Sequence, residues 1–316
     1  MIRSTLYACL LRRFLFPVEL RLTIANYVAR KLTNPKIHEA VEFPDYYQTI
    51  FMYGQIEWWD TSEVTNMSSL FSAKRYFNAD ISDWDVSNVT DMQYMFKRAE
   101  FFNKPIGKWN VSKVVNMRQM FFHAERFDQP LTEWNVSNVE NTYAMFSGAF
   151  KFNQSLQSWN MPNLKEVDFM FCNASDFNQP LGKWDLSKVT TMYAMFRNAH
   201  EFNQPLNDWD VSNVVDMESM FEEAFSFNQP LYSWKVSKVT NMEKMFSYAY
   251  NFNQSLNSWV CTGIHEFGDL YKMMENTFEF NQSLNSYWFK ARNYTKVSLE
   301  LKEEKTTKQR GKNPSK

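Results

Sequence analysis

Between residues 56 and 289 the apolar positions of the chain fall into columns twenty-five residues apart. Trp59, Trp84, Trp109 and their successors to Trp259 hold one register; Phe71 to Phe246 and Phe77 to Phe252 hold two others. A polar column runs beside them through Asn78, Asn103, Asn153, Asn178, Asn203, Asn228 and Asn253, with Asp128 standing in once. After Trp259 the register slips before "FNQSL" returns at Phe280. A unit this short cannot bury its apolar face alone, whereas neighbours in register bury a continuous core. The columns therefore predict a stack of about nine units, closed by atypical end units.

Within a unit the apolar period changes. Trp209 and Val211 alternate, which predicts a short half-buried strand. Val214, Met217, Met220, Phe221 and Ala224 then follow the spacing of one helix face. That predicts a short helix over 214–224, capped by Ser212 as its equivalents would be by Ser87, Ser112, Ser137, Ser187 and Ser237. Pro130, Pro180, Pro205 and Pro230 mark the return loop, where a helix cannot continue. Paired strands lie about 4.8 Å apart and packed helices about 8–10 Å. An α/β solenoid of stacked strand–helix repeats should therefore curve, with its strands on the concave side. The Asn column can bond neighbouring backbone groups that the turn leaves unpaired.

The flanks differ. Residues 1–55 do not repeat. Leu20, Ile24 and Val28 share one face of an amphipathic stretch, which predicts a helical cap over the open end of the solenoid. Residues 290–316 end in "KEEKTTKQRGKNPSK", a basic and almost apolar-free tail for which disorder is expected. The division expected is thus 1–55 cap, 56–289 repeats, 290–316 tail.

Composition narrows the chemistry. Apolar residues make up 44% of the chain and aromatic ones 17%, so a packed core is expected. The net charge of −1 argues against nucleic acid as a partner. Cys9, Cys172 and Cys261 give neither a disulfide framework nor a zinc spacing, which fits a reduced, intracellular protein. No apolar run is long enough to cross a membrane. Arg12 and Arg13 interrupt the N-terminal apolar stretch, so it does not read as a signal peptide, and an intracellular location is expected over export. His38, His123, His200 and His265 are scattered, and no nucleotide loop or nucleophile motif is present. The acid pairs Asp83/Asp85 and Asp208/Asp210 give way to Lys108/Asn110 and Ser158/Asn160 at the same positions. Variation beside fixed columns indicates exposed surface. No catalytic residue, metal or cofactor is expected. A calcium ladder along Asp60, Asp85, Asp185 and Asp210 would end at Lys235 and lacks glycine-rich loops.

The stretch "FNQPLNDWDVSNVVDMESMF" at 202–221 resembles the BspA-like leucine-rich repeat family: an aromatic-Asn corner, Leu-x-x-Trp-x-Val, Ser-x-Val, then Met-x-x-Met-Phe. The resemblance implies a leucine-rich-repeat-like solenoid with a surface or interaction role, and among bacterial relatives an exported protein or adhesin. At 16–32, "FPVELRLTIANYVARKL" resembles the opening of an F-box through Phe16, Pro17, Glu19, Leu20, Ile24, Tyr27 and Val28. That second resemblance implies an adaptor docking a ubiquitin-ligase scaffold through Leu20, Ile24 and Val28.

The leading expectation is a non-enzymatic solenoid that binds another protein through variable residues flanking the buried Trp column. These are Asp83, Asp85, Lys108, Asn110, Glu133, Asn135, Lys183, Asp185, Asp208, Asp210, Tyr232 and Lys235. Their mixed signs point to patterned complementarity rather than to one charge.

Overall fold

The computed structural model describes residues 31–42, 46–182, 184–262 and 272–283. Leu20, Ile24, Val28, the whole of 290–316 and Lys183 lie outside the described residues.

Two helices, α1 (Asn34–Glu42) and α2 (Tyr46–Tyr53), and a 3-10 turn (Ile56–Trp58) precede the repeats. Lys31 pairs in parallel with Asp60, and Leu32 N–H donates to the Asp60 carbonyl at 2.8 Å. Asn34 Oδ1 accepts the N–H groups of Thr65 and Asn66 at 2.8 and 3.1 Å. In the next unit the Thr90 N–H finds the Thr65 carbonyl instead, at 2.9 Å. The Asn34 side chain thus supplies the first repeat with an acceptor that a preceding unit would otherwise provide.

From Asp60 to Thr262 the described residues form no helix, and pairing is limited to single-residue parallel bridges such as Asn66–Asp91, Asp91–Asn116 and Asp216–Asn241. The helix expected over 214–224 is a run of overlapping turns. Met220 N–H donates to Met217 O at 3.2 Å, Glu222 to Ser219 at 3.1 Å and Ala224 to Phe221 at 3.1 Å. The intervening amides leave the unit: Met217, Ser219, Phe221 and Glu223 donate to Asn241, Glu243, Met245 and Ser247 at 2.8–2.9 Å. Ser219 and Glu223 hold φ of 56° and 58°, the left-handed conformation that a helix excludes. The strand expected at Trp209 and Val211 is also a pair of turns, Trp209 N–H to Leu206 O and Val214 N–H to Val211 O. Ser212 consequently caps no helix.

The reason lies in spacing. Helices side by side need about 8–10 Å, but units joined by backbone hydrogen bonds approach to about 4.8 Å. Turns satisfy half of these amides locally and leave the other half for the next unit. The core columns follow that spacing. Phe96, Phe121, Phe146, Phe171 and Phe196 stack at 5.5–5.7 Å between ring centroids. Each also stacks on the Phe six residues on, as Phe146 does on Phe152 at 4.0 Å. Both Phe columns are solvent-inaccessible from Phe96 to Phe252, and the Trp column is nearly so. Full burial of a side chain this size stabilises by about 1.5–3 kcal/mol, so the rings dominate the stability of the stack.

The polar corner adds direction. Asn153 Oδ1 accepts the Asn178 N–H at 3.0 Å and the Gln179 side-chain amide at 3.1 Å. The same pair of bonds recurs from Asn203 to Asn228 and Gln229, and from Asp128 to Asn153 and Gln154. Asp128 can replace Asn because both bonds are accepted by its Oδ1. Asn153→Ala would strip two donors of their acceptor and is expected to cost about 1–3 kcal/mol. Asn251→Ala, at an exposed position, is expected to stay within about 0.5 kcal/mol. Urea unfolding of the two variants checks this; equal losses would contradict the assigned role of the corner.

Candidate functional site

Of the twelve residues expected beside Trp, Lys183 lies outside the described residues and five bind their own turns. Asp85, Asn110, Asn135, Asp185 and Asp210 each accept through Oδ1 the N–H of the Ser two positions on, at 2.9–3.2 Å. These turns explain the Asp/Asn column without a cation. The Ser187 and Ser212 hydroxyls and amides hold Asp185 and Asp210 below the usual carboxylate range. Lys235 stands in the same exposed column, and Asp83, Lys108, Glu133, Asp208 and Tyr232 are exposed on the other side of Trp. In the first units the sign alternates from Asp83 to Lys108 to Glu133, so neighbours offset one another. Among the described residues no cluster of His, Cys, Asp and Glu could hold a metal ion, and no helix is long and apolar enough to cross a membrane. Burial pushes the Cys172 and Cys261 thiols up to about 11 and about 12, so neither is a nucleophile at neutral pH.

A concavity of about 400 Å³ lies between α1, α2 and the first unit, lined by Val41, Ile50, Ile56, Trp59, Phe71 and Phe77 among others. Its ionisable lining groups are Glu57 and Lys74.

A second surface was not anticipated. It is the outer arc of the turns that replace the helix, spanning 68–76 in the first unit and its equivalents beyond. Here large side chains stack across units while their neighbours point inward. Arg118 lies 3.8 Å over the Tyr143 ring and Arg126 3.9 Å over Phe101. Lys97 lies 4.9 Å from the Tyr94 ring and 5.4 Å from Phe122. Tyr143, Phe169 and Tyr193 meet edge to face at 5.6 and 4.8 Å. Further along, His200, Phe225, Tyr250 and Phe278 stack at 4.4, 4.8 and 5.4 Å. The signal was present in the sequence: these columns vary freely, yet they carry aromatic side chains.

The arc also segregates charge. Its first four units carry Lys74, Arg75, Lys97, Arg98, Arg118, Arg126 and Lys151 against Glu100 and Glu125. Its later units carry Asp168, Asp176, Glu201, Glu218, Glu222, Glu223, Glu243, Glu275 and Glu279 against Arg197, Lys244 and Lys272.

Midway lies an irregular joint. Bridges link Asn141 to Glu166 and Thr191 to Asp216, but none links Glu166 to Thr191. Asp168 Oδ1 instead accepts the Thr191 hydroxyl and the Tyr193 N–H, both at 2.9 Å. The buried indole N–H of Trp184 has no acceptor, while its equivalents in Trp134, Trp159 and Trp234 donate to Ile106, Leu131 and Leu206 carbonyls at 2.9–3.1 Å. Burial raises the Asp168 carboxyl to about 6, and Glu166 and Asp216 add to the rise against the two hydrogen bonds.

A family model described as "Mycoplasma protein of unknown function, DUF285" matches four overlapping stretches, residues 43–159, 107–207, 174–288 and 206–312. No curated protein and no solved structure matches the chain.

Asp168 gives a pH prediction. Its carboxyl is raised above the ordinary value of 3.8 to about 6 on folding, so the folded chain binds more protons between those values. This group's contribution is fully present below about pH 4 and lost as pH rises through about 6. Asp168→Asn keeps the acceptor and removes the charge. Its melting temperature is expected to exceed the wild type's at pH 7.5 and to converge with it at pH 4. A gap that widens toward pH 4 would contradict the assigned burial.

Proposed function

The chain belongs to the DUF285 family, and we propose that it is a non-enzymatic binding scaffold that recognises another protein. Within that family we infer the narrower identity of a BspA-like leucine-rich-repeat solenoid. Support comes from the recurring Phe-Asn-Gln-Pro-Leu-x-x-Trp corner and from the twenty-five-residue register of the backbone bonds that join the units.

The observation that carries the reading is the contrast between inside and outside. Inward columns repeat with little change, whereas the outer arc varies at every unit and holds aromatic and cationic groups stacked on one another. Tyr and Arg are the residue types that most often anchor protein interfaces. Stacking on neighbours fixes these rings before any partner arrives, so less side-chain freedom is lost on binding. The arc, rather than the Trp-flanking strip, is the proposed recognition face, because five of the strip's side chains already bind their own turns.

Affinity capture from the source cells, followed by titration of the purified partner, tests this. Phe150→Ala with Tyr193→Ala is expected to weaken binding at least about tenfold, a loss of about 1.4 kcal/mol. Asp83→Ala with Lys108→Ala and Glu133→Ala is expected to leave it within about twofold. Absence of any saturable partner, or loss confined to the second variant, would overturn the proposal.

A further inference from the structure

We infer that the arc face pairs with the same face of a second copy of this chain, in antiparallel orientation. The inference deepens the reading of the arc as a recognition face and rests on it.

The argument is electrostatic and geometric. Among the described residues Lys97, Arg98, Arg118 and Arg126 have no carboxylate within ion-pair distance; at the other end of the arc the same holds, with sign reversed, for Glu201, Glu218 and Glu223. One end of the face therefore carries several cations outside any ion pair and the other several anions outside any ion pair. A parallel pair would set like charge on like. A two-fold axis through the fifth arc, 168–176, sets each cluster against its opposite, and it does so twice, as an isologous interface requires.

The unit-by-unit register agrees. With that axis the third arc faces the seventh, bringing Arg118 and Arg126 opposite Glu218 and Glu223. The second faces the eighth, bringing Lys97 and Arg98 opposite Glu243, which also pairs with Lys272 at 3.1 Å. The fourth faces the sixth, bringing Lys151, which also pairs with Asp176 at 2.9 Å, opposite Glu201. At the axis Phe169 meets its own copy and adds apolar contact. With about 4.8 Å between units, eight steps make a strip about 38 Å long, a span suited to an interface between two copies.

Sedimentation equilibrium on the full chain tests the inference with two charge-reversed variants. Arg98→Glu with Arg126→Glu adds negative charge to the basic end of the face; Glu223→Arg with Glu243→Arg adds positive charge to the acidic end. Both leave the buried columns untouched, and a melting curve for each confirms that it folds. Wild type is expected to dimerise in 50 mM salt, with its dissociation constant rising about tenfold or more in 500 mM salt as the charges are screened. Each variant alone is expected to be monomeric, and an equimolar mixture of the two to recover a dimer. A monomeric wild type at 100 µM in low salt overturns self-pairing, and so does a mixture that stays monomeric. A dimer indifferent to both reversals overturns it too. Loss of a different protein partner by the Phe150→Ala, Tyr193→Ala variant would still stand in those cases, so the two readings fail separately.

Discussion

Each amide in the long turn of a unit must find an acceptor, and the chain alternates between two solutions. One amide closes a turn within its own unit; the next crosses to the following unit. Met217, Ser219, Phe221 and Glu223 cross, while Met220, Glu222 and Ala224 close turns. This alternation sets the distance between units, and the rest follows from it. Units this close exclude helices, require left-handed residues at two places per unit, and bring ring upon ring at about van der Waals contact. A non-glycine residue held at positive φ costs of order 1 kcal/mol, yet Ser219, Glu223, Lys244 and Tyr248 all adopt it. The crossing hydrogen bonds and the stacked rings offset that cost.

Burial was legible in the sequence because a fixed period has few physical causes. The Trp column, both Phe columns and the Asn corner sit where their constancy places them. The local conformation was not legible. Consecutive turns closed by a three-residue step bury positions 214, 217, 220, 221 and 224, and those spacings are also a helix face. Periodicity alone cannot separate the two. What separates them is the distance between neighbours, which only the stack reveals. The Trp-flanking strip was read as free surface because exposure could be inferred but hydrogen bonding could not: Asp185 and Asp210 are exposed and occupied at once. The arc was not legible because its residue types change from unit to unit and form no constant column.

Contacts in such a stack reach only adjacent units, so energy is distributed along it as a sum of neighbour terms. One faulty joint can then be tolerated. Asp168 and Trp184 mark such a joint, where a carboxylate takes over from a backbone bridge and an indole N–H goes without an acceptor. A frame that fixes every inward position leaves the outward ones free to vary, and that freedom is what a binding surface needs.

Register is the central claim, and a pair of deletions tests it most directly. Removing residues 128–152 takes out one whole period and joins Phe127 to Asn153, with every column continuous. Removing only 128–139 takes less chain but throws all later columns out of step. Circular dichroism melting of both proteins is the measurement. The account predicts a cooperative transition for the longer deletion, within several degrees of the full chain, and none for the shorter. Retained folding in the shorter deletion together with loss in the longer, or equal behaviour of the two, would contradict it.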